Sequence, residues 1–152
     1  MNGAALKLSS NILSATDIVN QHYSILKKKG IVYFSTDIQF SVERCIDQLL
    51  LVFKHKSETK YVVANVLEKR MESEPFVPSD ANSYSPSMFS NEPKRSWFKL
   101  TTMNVVDDLF IENCVVNYSD GAEKRLKDVL QYPRFNRCYY SVVEASEDLL
   151  IK

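Results

Sequence analysis

Apolar positions first recur at helical spacing between Asp17 and Lys29. Ile18, His22, Ile25 and Lys29 fall on one stripe and Val19, Tyr23 and Leu26 on the adjoining one, the pattern of a helix packed on one side. Ser14 or Thr16 can supply a capping oxygen, Asp17 suits the first turn, and Lys27, Lys28 and Lys29 suit the last. Gly30 is the expected stop. The pattern then changes to Ile31-Val32-Tyr33-Phe34, a β-branched and aromatic run that reads as a strand ended by Ser35, Thr36 and Asp37. Residues 38–47 fit a short helix and a loop with strand character equally well.

From Leu49 to Lys54 the run is continuously apolar, as in a strand buried on both faces. His55 to Thr59 is polar, and Lys60 to Glu68 is again rich in β-branched residues, so the two runs form a hairpin with a longer loop or two neighbouring antiparallel strands. Between residues 71 and 96, Pro75, Pro78, Pro86 and Pro93 stand among Ser, Asn, Asp and Glu. Prolines at this density exclude a central strand or a long helix. A long loop is expected there, partly packed down through Phe76, Tyr84 and Phe89 in the manner of a flap. Trp97-Phe98-Lys99-Leu100 restarts the sheet towards Val105-Val106. Leu109 to Tyr118 is a further apolar stretch, ended by Ser119-Asp120-Gly121. A late helix is expected over about 122–131 with Leu126, Val129 and Leu130 inward, then a closing strand over 137–145 and a short apolar tail. This order predicts one α+β domain over residues 1–152. Its small mixed or antiparallel sheet or barrel has about five to six strands, with an N-terminal helix and a late helix.

Composition narrows the function classes. The chain has 152 residues, enough for a hydrophobic core without staples, and its 45% apolar content is that of a globular domain. Nineteen basic residues balance nineteen acidic ones, which removes the large positive excess of a protein held to nucleic acid by charge alone. A local basic face is still compatible with that balance. Cys45, Cys114 and Cys138 are far apart and odd in number, which suggests reduced thiols in a cytoplasmic protein and neither a disulfide framework nor a zinc site. The first residues lack the charged and apolar regions of a signal peptide. No apolar run approaches the roughly 20 residues that cross a bilayer.

No complete catalytic or cofactor motif is present. Three glycines, none in a phosphate-binding arrangement, argue against a nucleotide cradle. His22 and His55 read as structural or surface residues, Cys45 as a buried small hydrophobe, and Asp107-Asp108 as the end of a strand. Glu144, Glu147 and Asp148 read as solvated acids. No metal, cofactor or catalytic residue is assigned. What remains is aromatic and basic: Tyr33-Phe34-Ser35-Thr36, Lys94-Arg95-Ser96-Trp97-Phe98-Lys99, and Arg134-Phe135-Asn136-Arg137-Cys138-Tyr139-Tyr140. Rings beside Arg or Lys can stack a base while the cation meets phosphate. Any one such cluster reads first as core rings with exposed flanking cations, and it is their recurrence at strand ends that keeps a binding face in view.

The order of elements resembles the PUA-like group of small barrels, in particular its EVE and YTH-type members, over residues 30–143. The resemblance rests on Gly30-Ile-Val-Tyr-Phe-Ser-Thr36, Leu50-Leu-Val-Phe53 with Tyr61-Val-Val-Ala-Asn-Val66, Trp97-Phe98-Lys99-Leu100, and Leu126-Lys-Asp-Val-Leu130 followed by Asn136-Arg-Cys-Tyr-Tyr140. It implies a module that binds DNA or RNA and receives a modified or flipped base in an aromatic pocket. By that resemblance Tyr33, Ser35, Thr36, Trp97 and Arg95 line the pocket, while Lys94, Lys99, Arg134 and Arg137 contact the backbone. Tyr-Phe stands here where a tryptophan is common in the group. The alternative is a non-catalytic protein-interaction module, an adaptor or inhibitor that uses the 71–96 loop and a sheet edge.

Overall fold

A computed structural model describes residues 1–9 and 13–143. Among them the chain is α+β, with nine strands and four helices. In chain order these are β1 (Asn2–Lys7), α1 (Ala15–Lys29), β2 (Val32–Thr36), β3 (Gln48–His55), β4 (Glu58–Phe76), α2 (Ala81–Tyr84) and β5 (Lys94–Leu100). Then come β6 (Asn104–Val106), α3 (Asp108–Glu112), β7 (Cys114–Asn117), β8 (Glu123–Arg125), α4 (Leu126–Leu130) and β9 (Arg137–Val142). The strands lie in the order β2-β5-β4-β3-β1-β9-β7-β8, with β6 beside β4. Only β1 and β3 run parallel; the other pairs are antiparallel.

The expected five to six strands are therefore too few, and the sheet does not close into a barrel: β2 and β8 end the path without pairing to each other. The 19-residue β4 explains the open shape. Its first half pairs with β3 and β6, its second half with β5, and the register shifts between Val66 and Glu68. Such an irregularity bends a strand and lets one chain segment serve two sheets.

The central pair carries the core. Leu49, Leu51 and Phe53 of β3 pack on one side with Leu26, Val32, Phe34 and Phe98, while Leu50 and Val52 pack on the other with Ile111, Leu126 and Val129. The continuous apolar run is thus a strand buried on both faces, as its pattern predicts. Helix α1 presents Ile18, His22 and Leu26 inward, and Gly30 ends it in the left-handed region at φ 79°. Ser14, and not Thr16, supplies the cap, accepting from the Asp17 amide.

Strand β1 was not legible from its residues, because Asn-Gly-Ala-Ala has weak strand propensity. Its place explains its composition. It fills the slot between β3 and β9, where Ala4 and Ala5 are fully buried, and Gly3 lies against the Tyr140 ring so closely that a Cβ would overlap it.

Four further boundaries move. The 71–96 loop shrinks to 77–93, because 71–76 continue β4 and 94–96 begin β5. Pro75 is tolerated near the exposed end of β4, as an edge position allows. The polar 55–59 segment is a two-residue turn, with Lys56 and Ser57 at φ 50° and 69° between the paired His55 and Glu58. The apolar 109–118 run divides into α3 and β7, and the late helix shortens to 126–130 behind β8. Residues 38–47 form neither helix nor strand. The C-terminal acids Glu144, Glu147 and Asp148, like the tail and the last residues of the expected closing strand, lie outside the described residues. No helix among the described residues is long and apolar enough to cross a membrane.

Candidate functional site

The residues proposed to line a base pocket divide across the sheet. Strand alternation puts Tyr33 and Ser35 on one face of β2 and Thr36 on the other, where its Oγ1 accepts from the Ile38 amide at 3.3 Å. On β5 the same alternation puts Arg95, Trp97 and Lys99 on the Tyr33 side, with Ser35 opposite Trp97 and Tyr33 opposite Lys99. The structure therefore brings Tyr33, Ser35, Trp97, Arg95 and Lys99 together and leaves Thr36 out.

What it builds from them is packing. Trp97 is 1% exposed, and its indole N–H donates to the carbonyls of Phe76 at 2.8 Å and Lys94 at 3.2 Å. Tyr33 meets it edge-on with centroids 5.5 Å apart, and Tyr84 meets Tyr33 edge-on at 6.4 Å. A base could stack on Trp97 only by displacing one of these rings. The cations beside the cluster already have carboxylates: Arg95 with Asp37 at 3.1 Å, Lys94 with Glu92 at 2.9 Å, and Lys99 with both Glu68 at 3.5 Å and Asp80 at 3.4 Å.

Asp80 also accepts the Tyr33 hydroxyl at 2.7 Å. Burial and this carboxylate together push the Tyr33 phenol up to about 12. Burial alone would raise Asp80, but the Tyr33 hydroxyl and the Lys99 ammonium more than offset it and hold the carboxyl below its ordinary value. This network pins the 77–93 segment over the sheet. The segment's second anchor is Phe89, whose ring lies 5.7 Å from His22. Its aromatics face inward, as the flap expectation requires.

The other thiol and imidazole groups also serve the fold. His22 donates from Nδ1 to the Ile18 carbonyl at 2.7 Å, since a carbonyl can only accept, and burial lowers its pKa to about 4. His55 shares a 2.8 Å hydrogen bond with the Thr16 hydroxyl. Burial pushes the thiols of Cys114 and Cys138 up to about 11 and about 12. Cys45 is exposed, contrary to its reading as a buried hydrophobe, because the irregular 38–47 segment holds it at the surface. Its Sγ donates to Asp47 Oδ1 at 3.3 Å. Among the described residues no group of three or more His, Cys, Asp or Glu side chains could hold a metal ion.

A different place combines cations, rings and open space. Two adjoining hollows of about 240 and 350 Å³ share Arg44, Asn117 and Tyr139. They lie where the 38–47 segment crosses the ends of β9 and β7. The Arg44 guanidinium stands 4.2 Å above the Tyr139 ring, and its carbonyl accepts from the Lys69 ammonium. Arg137 stands 5.8 Å above Phe40 and donates to the Gln39 carbonyl at 2.6 Å. The Tyr139 hydroxyl accepts from the Ser41 amide at 2.8 Å, which ties the segment to β9. Among the described residues these two arginines are the only charged side chains lining either hollow, and neither pairs with a carboxylate. Asn2, Asn117 and Ser141 add neutral polar groups to the walls.

Of the expected backbone contacts, Arg137 therefore lies in this groove. Arg134 is exposed in the turn before β9 and does not line it, and Lys94 and Lys99 lie at the Trp97 cluster. Arg44 and Phe40 were missed because the 38–47 segment has no periodicity. Tyr139 belongs to the aromatic-basic run 134–140, which was the available signal. No family model matches this chain, and comparison with curated proteins and with solved structures found no match to it.

Proposed function

We propose that this protein is a non-catalytic nucleic-acid-binding module, and that a single strand of DNA or RNA lies in the groove of Arg44, Arg137 and Tyr139. The observation that carries the reading is a pair of ring-stacked arginines without carboxylate partners, lining hollows that hold no other charge among the described residues, in a chain of zero formal charge. At the Trp97 cluster the cations are spent on internal pairs; here two are left exposed at one groove. Stacked guanidinium groups keep outward N–H donors for phosphate oxygens, and their own exposed planes can stack on a base. Hollows of a few hundred cubic ångströms suit an unpaired strand better than a duplex. In this reading the Tyr33–Trp97 cluster supports the fold and does not touch the ligand.

The test is fluorescence anisotropy with labelled single-stranded RNA, single-stranded DNA and duplex. Arg44→Gln and Arg137→Gln are each expected to weaken single-strand binding about tenfold, the loss of one charge-assisted contact. Trp97→Phe, once shown to be folded, is expected to bind as wild type does. Loss of binding in Trp97→Phe with none in the arginine variants would return the site to the other cluster.

The protein-interaction alternative loses its support at the 77–93 segment, whose rings face inward, and keeps it at one sheet edge.

A further inference from the structure

Among the described residues strand β6 is paired on one side only, to Tyr61–Val63 of β4, and it ends after three residues. Asp107 turns the chain away there, its side chain accepting from the Leu109 and Phe110 amides to start α3. Among the described residues no strand covers Thr59 and Lys60 on that side of β4. The turn leaves a cleft of about 590 Å³, lined by Thr59, Lys60, Tyr61, Val105, Val106 and Phe110 and by Asp107 and Asp108; the Lys60 charge is already paired with Glu58 at 3.2 Å. Val105, in its lining, is 76% exposed. Asp108 lines the cleft with Tyr61, whose phenol is raised by burial first and by the Asp108 charge second. Asp108 has no Lys or Arg partner among the described residues.

An open sheet edge offers unpaired backbone groups to an incoming strand. An apolar floor asks for an apolar side chain, and an unpaired carboxylate at the rim asks for a cation. We propose that this edge docks an extended segment of a partner protein in which β-branched residues alternate with Lys or Arg, added as a strand beside β6 with a basic side chain at Asp108. The site is separate from the arginine groove and stands or falls without it.

The test uses the full chain, its amide spectrum assigned, with two probe peptides: acetyl-KVTVKV-amide and acetyl-EVTVEV-amide. The expected result is that the basic peptide shifts the amides of residues 59–61 and 104–110 and binds at least about tenfold more tightly than the acidic one. Asp108→Asn, which leaves the Asp107 cap intact, is expected to remove most of that difference, and Arg44→Gln to leave it unchanged. Absence of shifts at these residues with either peptide, or equal affinity for both, would overturn the proposal.

Discussion

Trp97 shows why a local motif is ambiguous. A lone tryptophan among Lys94, Arg95 and Lys99 can be a stacking platform or, the first reading, a core ring with snorkelling neighbours, and here it packs as a core ring. Its N–H bonds make Trp97→Phe costly through an unsatisfied Phe76 carbonyl; a loss of about 1–3 kcal/mol in urea unfolding is expected. His22 gives a pH dependence of definite sign. Burial lowers its pKa from 6.5 to about 4, so the unfolded chain takes up the proton first as pH falls. The stability contributed by neutral His22 is complete above pH 6.5 and is lost as pH drops through about 4, up to a limit of about 3 kcal/mol. Unfolding measured from pH 7.5 to 4.5 is expected to show this slope in wild type, and a flatter one in His22→Gln. Parallel curves would remove His22 from the account. Gly3→Ala is expected to cost about 1–3 kcal/mol by forcing Tyr140, whose hydroxyl donates to Gln48 at 2.7 Å, out of its place.

Elements with strong periodicity were legible, and those shaped by tertiary demand were not. Helix α1 and strands β2, β3 and β5 follow from their own residues. Strand β1 does not, since Gly3, Ala4 and Ala5 are small to suit the neighbours that flank them. The length of β4 was hidden because Glu72, Ser73 and Glu74 are polar and Pro75 lacks a backbone donor, as suits an exposed arm. Half of the proposed site was equally hidden: Arg137 and Tyr139 stand in a visible run, whereas Arg44 reaches them across 95 residues through a segment with no pattern. The turn at Lys56 and Ser57 is strained, because both are non-glycine residues at positive φ. Ser57→Gly is expected to stabilise the protein by on the order of 1 kcal/mol in thermal or urea unfolding. Asp80→Ala, which frees the Tyr33 hydroxyl and Lys99, is expected to speed amide exchange across residues 77–93 while leaving β3 protected. Unchanged exchange in that segment would mean that Asp80 is no anchor.

Charge placement, more than charge total, connects this fold to a function. Nineteen cations and nineteen anions cancel overall, yet Lys94, Arg95 and Lys99 are internally compensated while Arg44 and Arg137 are not. The open sheet leaves these two arginines together beside Tyr139. A strand held there gains phosphate contacts that release counterions, so its affinity must fall with salt in proportion to the contacts made. The most direct measurement is the dependence of single-strand affinity on salt concentration for wild type and for the Arg44→Gln/Arg137→Gln double variant. The expected result is a linear fall of log K with log salt in wild type, shallower by about 1.4 in the double variant, two phosphate contacts at about 0.7 each. Equal slopes and affinities for the two proteins, or no binding by folded wild type, would contradict the assignment of this groove.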